Sequence, residues 1–161
     1  MNQITTQYVT ENGACYEQYV ITDPAAKTSL TITPERGGMI TGFTLDGDEY
    51  IWTRRPNFSE CNRPRFGVPV LFPSCGNPDG GVHNFDGKAY PMETHGFADL
   101  CGWDVESVGP DGVTLALEST PLTKFLYPFD FTLLVNYNLE DNKAAISLTV
   151  INEGEIGRAH V

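Results

Sequence analysis

The strongest pattern in the chain is "FDFTLLVNYNLEDNKAAISLTVIN". Phe129, Phe131, Leu133, Val135, Tyr137 and Leu139 alternate there with Asp130, Thr132, Asn136, Asn138 and Glu140. Side chains of a strand alternate between two faces, so this spacing predicts a long strand with one apolar face. Glu140-Asp141-Asn142 predicts a turn, and Ile146, Leu148 and Val150 then share one face of a second strand. Upstream, "YEQYVIT" (16–22) and "TSLTITP" (28–34) are short β-branched runs separated by the turn signal Asp23-Pro24. Three further segments read as hairpins: 38–52 around Asp46-Gly47, 82–92 around Asp86-Gly87, and 103–120 around 109–112. No segment carries the i, i+3, i+4, i+7 stripe of a helix. The pattern predicts an all-β domain of antiparallel hairpins, most economically a sandwich.

One stretch breaks the alternation. "RRPNFSECNRPRFGVPVLFPSCGNPDGG" (54–81) holds five prolines and little periodicity beyond "VPVLF". A connection of this length inside a domain is usually functional or disordered. Disorder conflicts with Phe58, Phe66, Val68, Val70, Leu71 and Phe72, which need burial. Two readings remain, an irregular edge connection or a binding rim. The rim reading draws on Arg54, Arg55, Arg63 and Arg65, four of the ten basic residues within twelve positions. Guanidinium groups gathered in an otherwise acidic chain suit a hydroxyl-rich or anionic ligand.

Composition narrows the partners. The chain has 161 residues, enough for one domain with a real core, and a net charge of −11 spread along its length. That charge repels nucleic acid and anionic membrane surfaces. Cysteines stand at 15, 61, 75 and 101, with no Cys-x-x-Cys pair and no histidine cluster to complete a zinc site. The polar start "MNQITTQYVTENG" has no apolar core segment of a secretory signal, and no window is long enough to span a bilayer. The expectation is a cytoplasmic protein with reduced, mostly buried thiols.

"RFGVPVLFPSCGN" (65–77) followed by "HGFADLCGW" (95–103) resembles the aldose 1-epimerase family, galactose mutarotase-like proteins, and most the glucose-6-phosphate 1-epimerase-like branch. Upstream, "ERGGMITGFTLDGDEYIW" (35–52) is similar to the family's early hairpin, and the likeness covers about residues 15 to 153. The resemblance implies a galactose mutarotase-like β-sandwich that binds a hexose or hexose phosphate in a cleft and uses no cofactor or metal. It implies interconversion of α and β anomers, one group taking the proton of the anomeric hydroxyl while another protonates the ring oxygen. It places the catalytic His and Glu in the second half of the fold and substrate-positioning groups in the first. By position these are Arg65 and His95, with Arg63 a weaker candidate. Phe72 and Trp103 are candidates to stack on a sugar face, though both residue types also suit a core. His83 reads as a surface residue, and a turn histidine such as His95 also commonly serves only backbone hydrogen bonds. Two positions depart from the pattern. Asp99 stands where an Arg usually closes the His-Gly-Phe-Ala motif, which favours a neutral sugar, and Phe66 replaces a turn glycine.

The family's catalytic His follows the strand "AAISLTVINEGE"; here that strand leads only to "EIGRAHV". Residues 156–161 can be encoded by a widely used sequencing-adapter sequence. The expectation is therefore an N-terminal part of a single domain over 1–154, with 155–161 a non-native tail. A sandwich cut in this way exposes unpaired edges and an uncovered apolar face, with the strand Phe129–Leu139 especially exposed. The chain alone is then expected to lack mutarotase activity. The alternatives are a non-catalytic carbohydrate-binding β-sandwich and a β-domain with no ligand.

Overall fold

In the computed structural model, residues 2–52, 59, 63, 65–110, 112–140 and 142–154 are described. Among the described residues eleven strands follow in chain order: β1 (Gln3–Glu11), β2 (Ala14–Asp23), β3 (Thr28–Thr33), β4 (Met39–Leu45), β5 (Asp48–Glu49), β6 (Val82–Phe85), β7 (Lys88–Pro91), β8 (Asp104–Gly109), β9 (Gly112–Glu118), β10 (Phe131–Glu140) and β11 (Lys143–Asn152). They form a five-stranded sheet in the order β1-β2-β3-β4-β5, a four-stranded sheet in the order β11-β10-β9-β8, and a separate β6-β7 hairpin. Each pairing between these strands is antiparallel. Single 3₁₀ turns lie at Asp79–Gly81, Ala98–Leu100 and Thr123–Phe125.

The turns explain the order. Asn12-Gly13, Asp46-Gly47 and Asp86-Gly87 all take positive φ at both positions. This is the geometry whose twist matches two antiparallel strands, and Asx-Gly reaches it at low cost. Sequence reading found two of these hairpins and missed β1, whose polar run "QITTQYVTE" offers little apolar alternation. Pairing with β2 along its whole length, from Gln3 opposite Thr22 to Glu11 opposite Ala14, supplies the order that alternation does not signal.

The two large sheets face each other, with β10 against β2 and β3. Ile21, Leu30, Ile32 and Ile40 from one sheet pack with Val113, Leu115, Leu133, Val135 and Tyr137 from the other. Tyr137 spans the layers, and its buried hydroxyl donates to the Gly38 carbonyl at 2.6 Å. The expectation that Phe129–Leu139 would be especially exposed is corrected here. Phe129 lies before the strand and is exposed, whereas Phe131, Leu133, Val135, Tyr137 and Leu139 are buried because the five-stranded sheet covers them. Exposure falls instead on β11, at Ile146, Leu148 and Val150.

The thiols also differ from expectation. Cys15, Cys75 and Cys101 are free, but Cys15 and Cys75 are exposed and only Cys101 is half-buried. Cys61, Arg54, Arg55, Phe58 and the tail 155–161 lie outside the described residues. No helix among the described residues is long and apolar enough to cross a membrane.

Candidate functional site

The site is built where the irregular connection meets the turn after β7. Val68 exchanges both backbone hydrogen bonds with Ile40, and Phe72 forms a bridge to Gly96. The Phe72 carbonyl accepts from Phe97 N–H at 2.9 Å, so a Cβ at position 96 would collide with it. Only glycine permits that approach. Next to it, His95 holds a left-handed φ of 71°, and its N–H donates to the Gly76 carbonyl at 2.9 Å. The histidine is thus fixed from the backbone side, in a conformation that non-glycine residues seldom adopt.

The rest of "HGFADLCGW" anchors this turn to the core. The Trp103 indole donates to the Ala98 carbonyl at 3.0 Å, and its ring lies against Gly38. Gly37 packs on the Asp99 backbone and donates to the Cys101 carbonyl at 3.0 Å. The two motifs "ERGG" and "HGFADLCGW" are therefore two sides of one close contact.

A cleft of about 1030 Å³ opens beside the turn, lined by Arg63, Arg65, Asn77, Thr94, His95 and Asp99 among others. Four of the six residues proposed from sequence meet there. Arg63 does not reach into it as a free cation. Its Nη1 grips both Asp99 carboxylate oxygens, at 2.5 and 2.7 Å, and Nη2 donates to the Gly96 carbonyl at 2.7 Å. Glu93 lies 3.6 Å from the same Nη2. Arg63 thereby ties the connection to the turn that carries His95. Burial pushes the Asp99 carboxyl above the usual carboxylate range, and the Arg63 charge opposes that without cancelling it.

Arg65 is exposed on the cleft wall. His95 is half-buried, and its Nδ1 is buried with no hydrogen-bond partner among the described residues. In the same lining, Thr94 Oγ1 donates to Asn77 Oδ1 at 3.0 Å. Among the described residues the cleft thus offers a guanidinium with no hydrogen-bond or ion-pair partner, an imidazole and an amide, a donor and acceptor set suited to hydroxyl groups. Among the described residues no group of three or more His, Cys, Asp or Glu side chains is placed to hold a metal.

Phe72 and Trp103 do not line the cleft. Trp103 is a core residue, and Phe72 packs edge-on against Phe97 and Tyr127. Of the two readings open for these rings, burial favours the core. His83 is half-buried with its ring edge-on to Phe85. Sequence reading missed Asn77, Glu93 and Thr94. Only their proximity to the proline-rich and His-Gly motifs could have signalled them, since polar loop residues carry no periodicity.

An antiparallel sandwich with a polar cleft between an irregular connection and a His-Gly turn defines the class, a sandwich that presents its site from loops. The chain belongs to the aldose 1-epimerase family, whose model matches residues 17–157. That match reaches past Gly154 into the segment expected to be non-native. Among solved structures, a Synechocystis sp. protein is 29% identical over 96% of this chain and 53% of its own, with a TM-score of 0.82. A galactose mutarotase related enzyme from Lactobacillus acidophilus is 27% identical over 86% of this chain and 44% of its own, TM-score 0.74. A galactose mutarotase-like protein from Lactobacillus casei is 26% identical over 92% and 45%, TM-score 0.69. The chain spans about half the length of these solved chains. A search of curated proteins gives no match.

Proposed function

We propose that the cleft is the sugar-holding part of an aldose 1-epimerase-like isomerase, which interconverts the α and β anomers of an uncharged hexose by acid and base catalysis. The observation that carries this reading is the meeting of Arg65 and His95, thirty positions apart in sequence, on one cleft wall in a chain of this family. Arg65 donates to sugar hydroxyls, and His95, fixed by its backbone, exchanges a hydrogen bond with another. The closed Arg63–Asp99 pair supports a neutral sugar over a hexose phosphate, because it neutralises one of the two guanidinium groups on the described wall and leaves Arg65 alone.

The proton-transfer pair is supplied from outside residues 1–154, so the chain alone is inactive. The half-length overlap with its solved relatives and the uncovered inner residues of β11 support this. Polarimetry on the 161-residue chain is expected to show no acceleration of glucose anomerisation; acceleration would overturn it. Calorimetric titration with glucose and galactose is expected to show binding that Arg65→Ala and His95→Ala each weaken. Binding indifferent to both substitutions sinks the assignment of the cleft. Binding that persists in a longer protein lacking mutarotation would favour the non-catalytic carbohydrate-binding reading.

A further inference from the structure

His95 depends on its backbone for its direction. The imidazole Nδ1 is buried with no hydrogen-bond partner among the described residues, so nothing orients the ring from that side. A turn closed by Gly96 N–H, which donates to the Glu93 carbonyl at 3.0 Å, carries it instead. Within this turn His95 and Gly96 take left-handed φ of 71° and 74°. Glycine enters that region freely, whereas a histidine there crowds its Cβ against the backbone. Such a conformation persists only where the surroundings over-determine it.

Arg63 supplies much of that surrounding. Its guanidinium reaches positions 93, 96 and 99, which bracket His95 on both sides. Nη1 holds both Asp99 carboxylate oxygens, at 2.5 and 2.7 Å, and Nη2 donates to the Gly96 carbonyl at 2.7 Å. Glu93, at 3.6 Å from Nη2, is an exposed carboxylate and adds little. The Asp99 and Arg63 side chains are 1% and 19% exposed, so that pair is nearly dry. A dry pair is a weak device for stability. Desolvating two charges offsets most of their attraction, and apolar side chains of similar size often serve as well or better. What the planar guanidinium gives is direction, because its donors form a fixed fork that fits its acceptors in one geometry.

We propose that Arg63 and Asp99 are positioning residues, a clamp that holds the turn 93–99 at both ends so that His95 presents its imidazole to the cleft in one orientation. Arg63 acts through the turn and not on the ligand, since its donors are engaged by Asp99 and Gly96. Asp99 acts through Arg63, which covers its carboxylate. The clamp rests on the reading of the cleft as a sugar site only for its effect on binding; its effect on the turn is independent of any ligand.

The test separates direction from stability with a double variant of the full chain, Arg63→Met with Asp99→Leu, which replaces the ion pair by apolar side chains. Three quantities are compared with the native chain: the urea midpoint, calorimetric affinity for glucose and galactose, and the φ of His95. The last is read from its three-bond HN–Hα coupling and Cα shift by NMR without sugar. The double variant is expected to keep a midpoint close to the native one. Its sugar affinity should fall about tenfold, the low end of what losing a supporting hydrogen-bond partner costs a site. His95 should lose its single left-handed φ and average over conformers. Should the double variant not fold, Arg63→Lys decides. It keeps the charge but reaches fewer acceptors, and a smaller shift in the same direction is expected. Native affinity in the deciding variant overturns the clamp, whatever φ does. Weakened binding with a native φ makes Arg63 a direct sugar contact and also overturns it. An averaged φ in the variant, with no sugar bound even by the native chain, keeps the clamp and overturns the cleft assignment.

Discussion

β10 and β11 are neighbours in one sheet with nearly the same sequence pattern, yet they end in opposite environments. Leu133 pairs with Val150, Val135 with Leu148, and Tyr137 with Ile146. Directly opposed residues project on the same face of a sheet. Across that single pairing, Val135 is fully buried and Leu148 is 48% exposed. The difference lies in what stands over each strand, because the five-stranded sheet covers β10 and stops short of β11. Alternation in a sequence therefore tells which residues share a face, and the tertiary arrangement decides whether that face is covered.

The comparison breaks most sharply in the core. Leu133→Ala removes a buried side chain from between the sheets and is expected to cost about 2–5 kcal/mol, measured by urea unfolding. Val150→Ala, on the facing residue, removes a half-exposed side chain and should cost less than about 1 kcal/mol. Equal costs would mean that β11 is covered in solution, by self-association or another surface. Tyr137→Phe comes next. It leaves the Gly38 carbonyl without its partner across the layers, at an expected cost of about 1–3 kcal/mol by the same measurement.

A smaller effect on stability tests the open side. Ile146→Thr with Leu148→Thr replaces two exposed apolar residues by polar β-branched ones, and unfolding should shift by less than about 1 kcal/mol. The readouts expected to change are light scattering and binding of a hydrophobic dye, both falling, because an exposed apolar strand face favours association. Unaltered scattering would show that β11 does not drive association.

These strands also show how much was legible in advance. The hairpins at Asp46-Gly47 and Asp86-Gly87 were readable because the turn chemistry is local, and β10 because its apolar period is long and regular. β1 was not, since its order comes from pairing with β2 and not from an apolar face of its own. In the site, Arg65 and His95 could be named from motif resemblance. That Arg63 is spent on Asp99 could not, because the two are thirty-six positions apart and their meeting depends on the fold. Trp52 shows the same limit in reverse: nothing in "EYIW" distinguishes a ring that will be buried from one that stays 65% exposed.

The Arg63–Asp99 pair gives the finest test, since it sets a carboxyl as deeply buried as the inner face of β10 against a charged partner at the site. Burial raises the Asp99 carboxyl above its unfolded-state value, which is near 4 for an aspartate. The folded chain then holds this proton more tightly than the unfolded chain, so the contribution of Asp99 is fully present below about pH 4. It is lost as pH rises through the raised folded value. Urea midpoints measured from about pH 3.5 upward, relative to those of Asp99→Asn, should therefore fall across that window. Asn keeps the size and one acceptor for Arg63 but has no proton to lose, so the difference isolates the carboxyl. A difference that rises with pH would instead mean that the guanidinium outweighs burial, and that Asp99 is held as a fully favoured carboxylate.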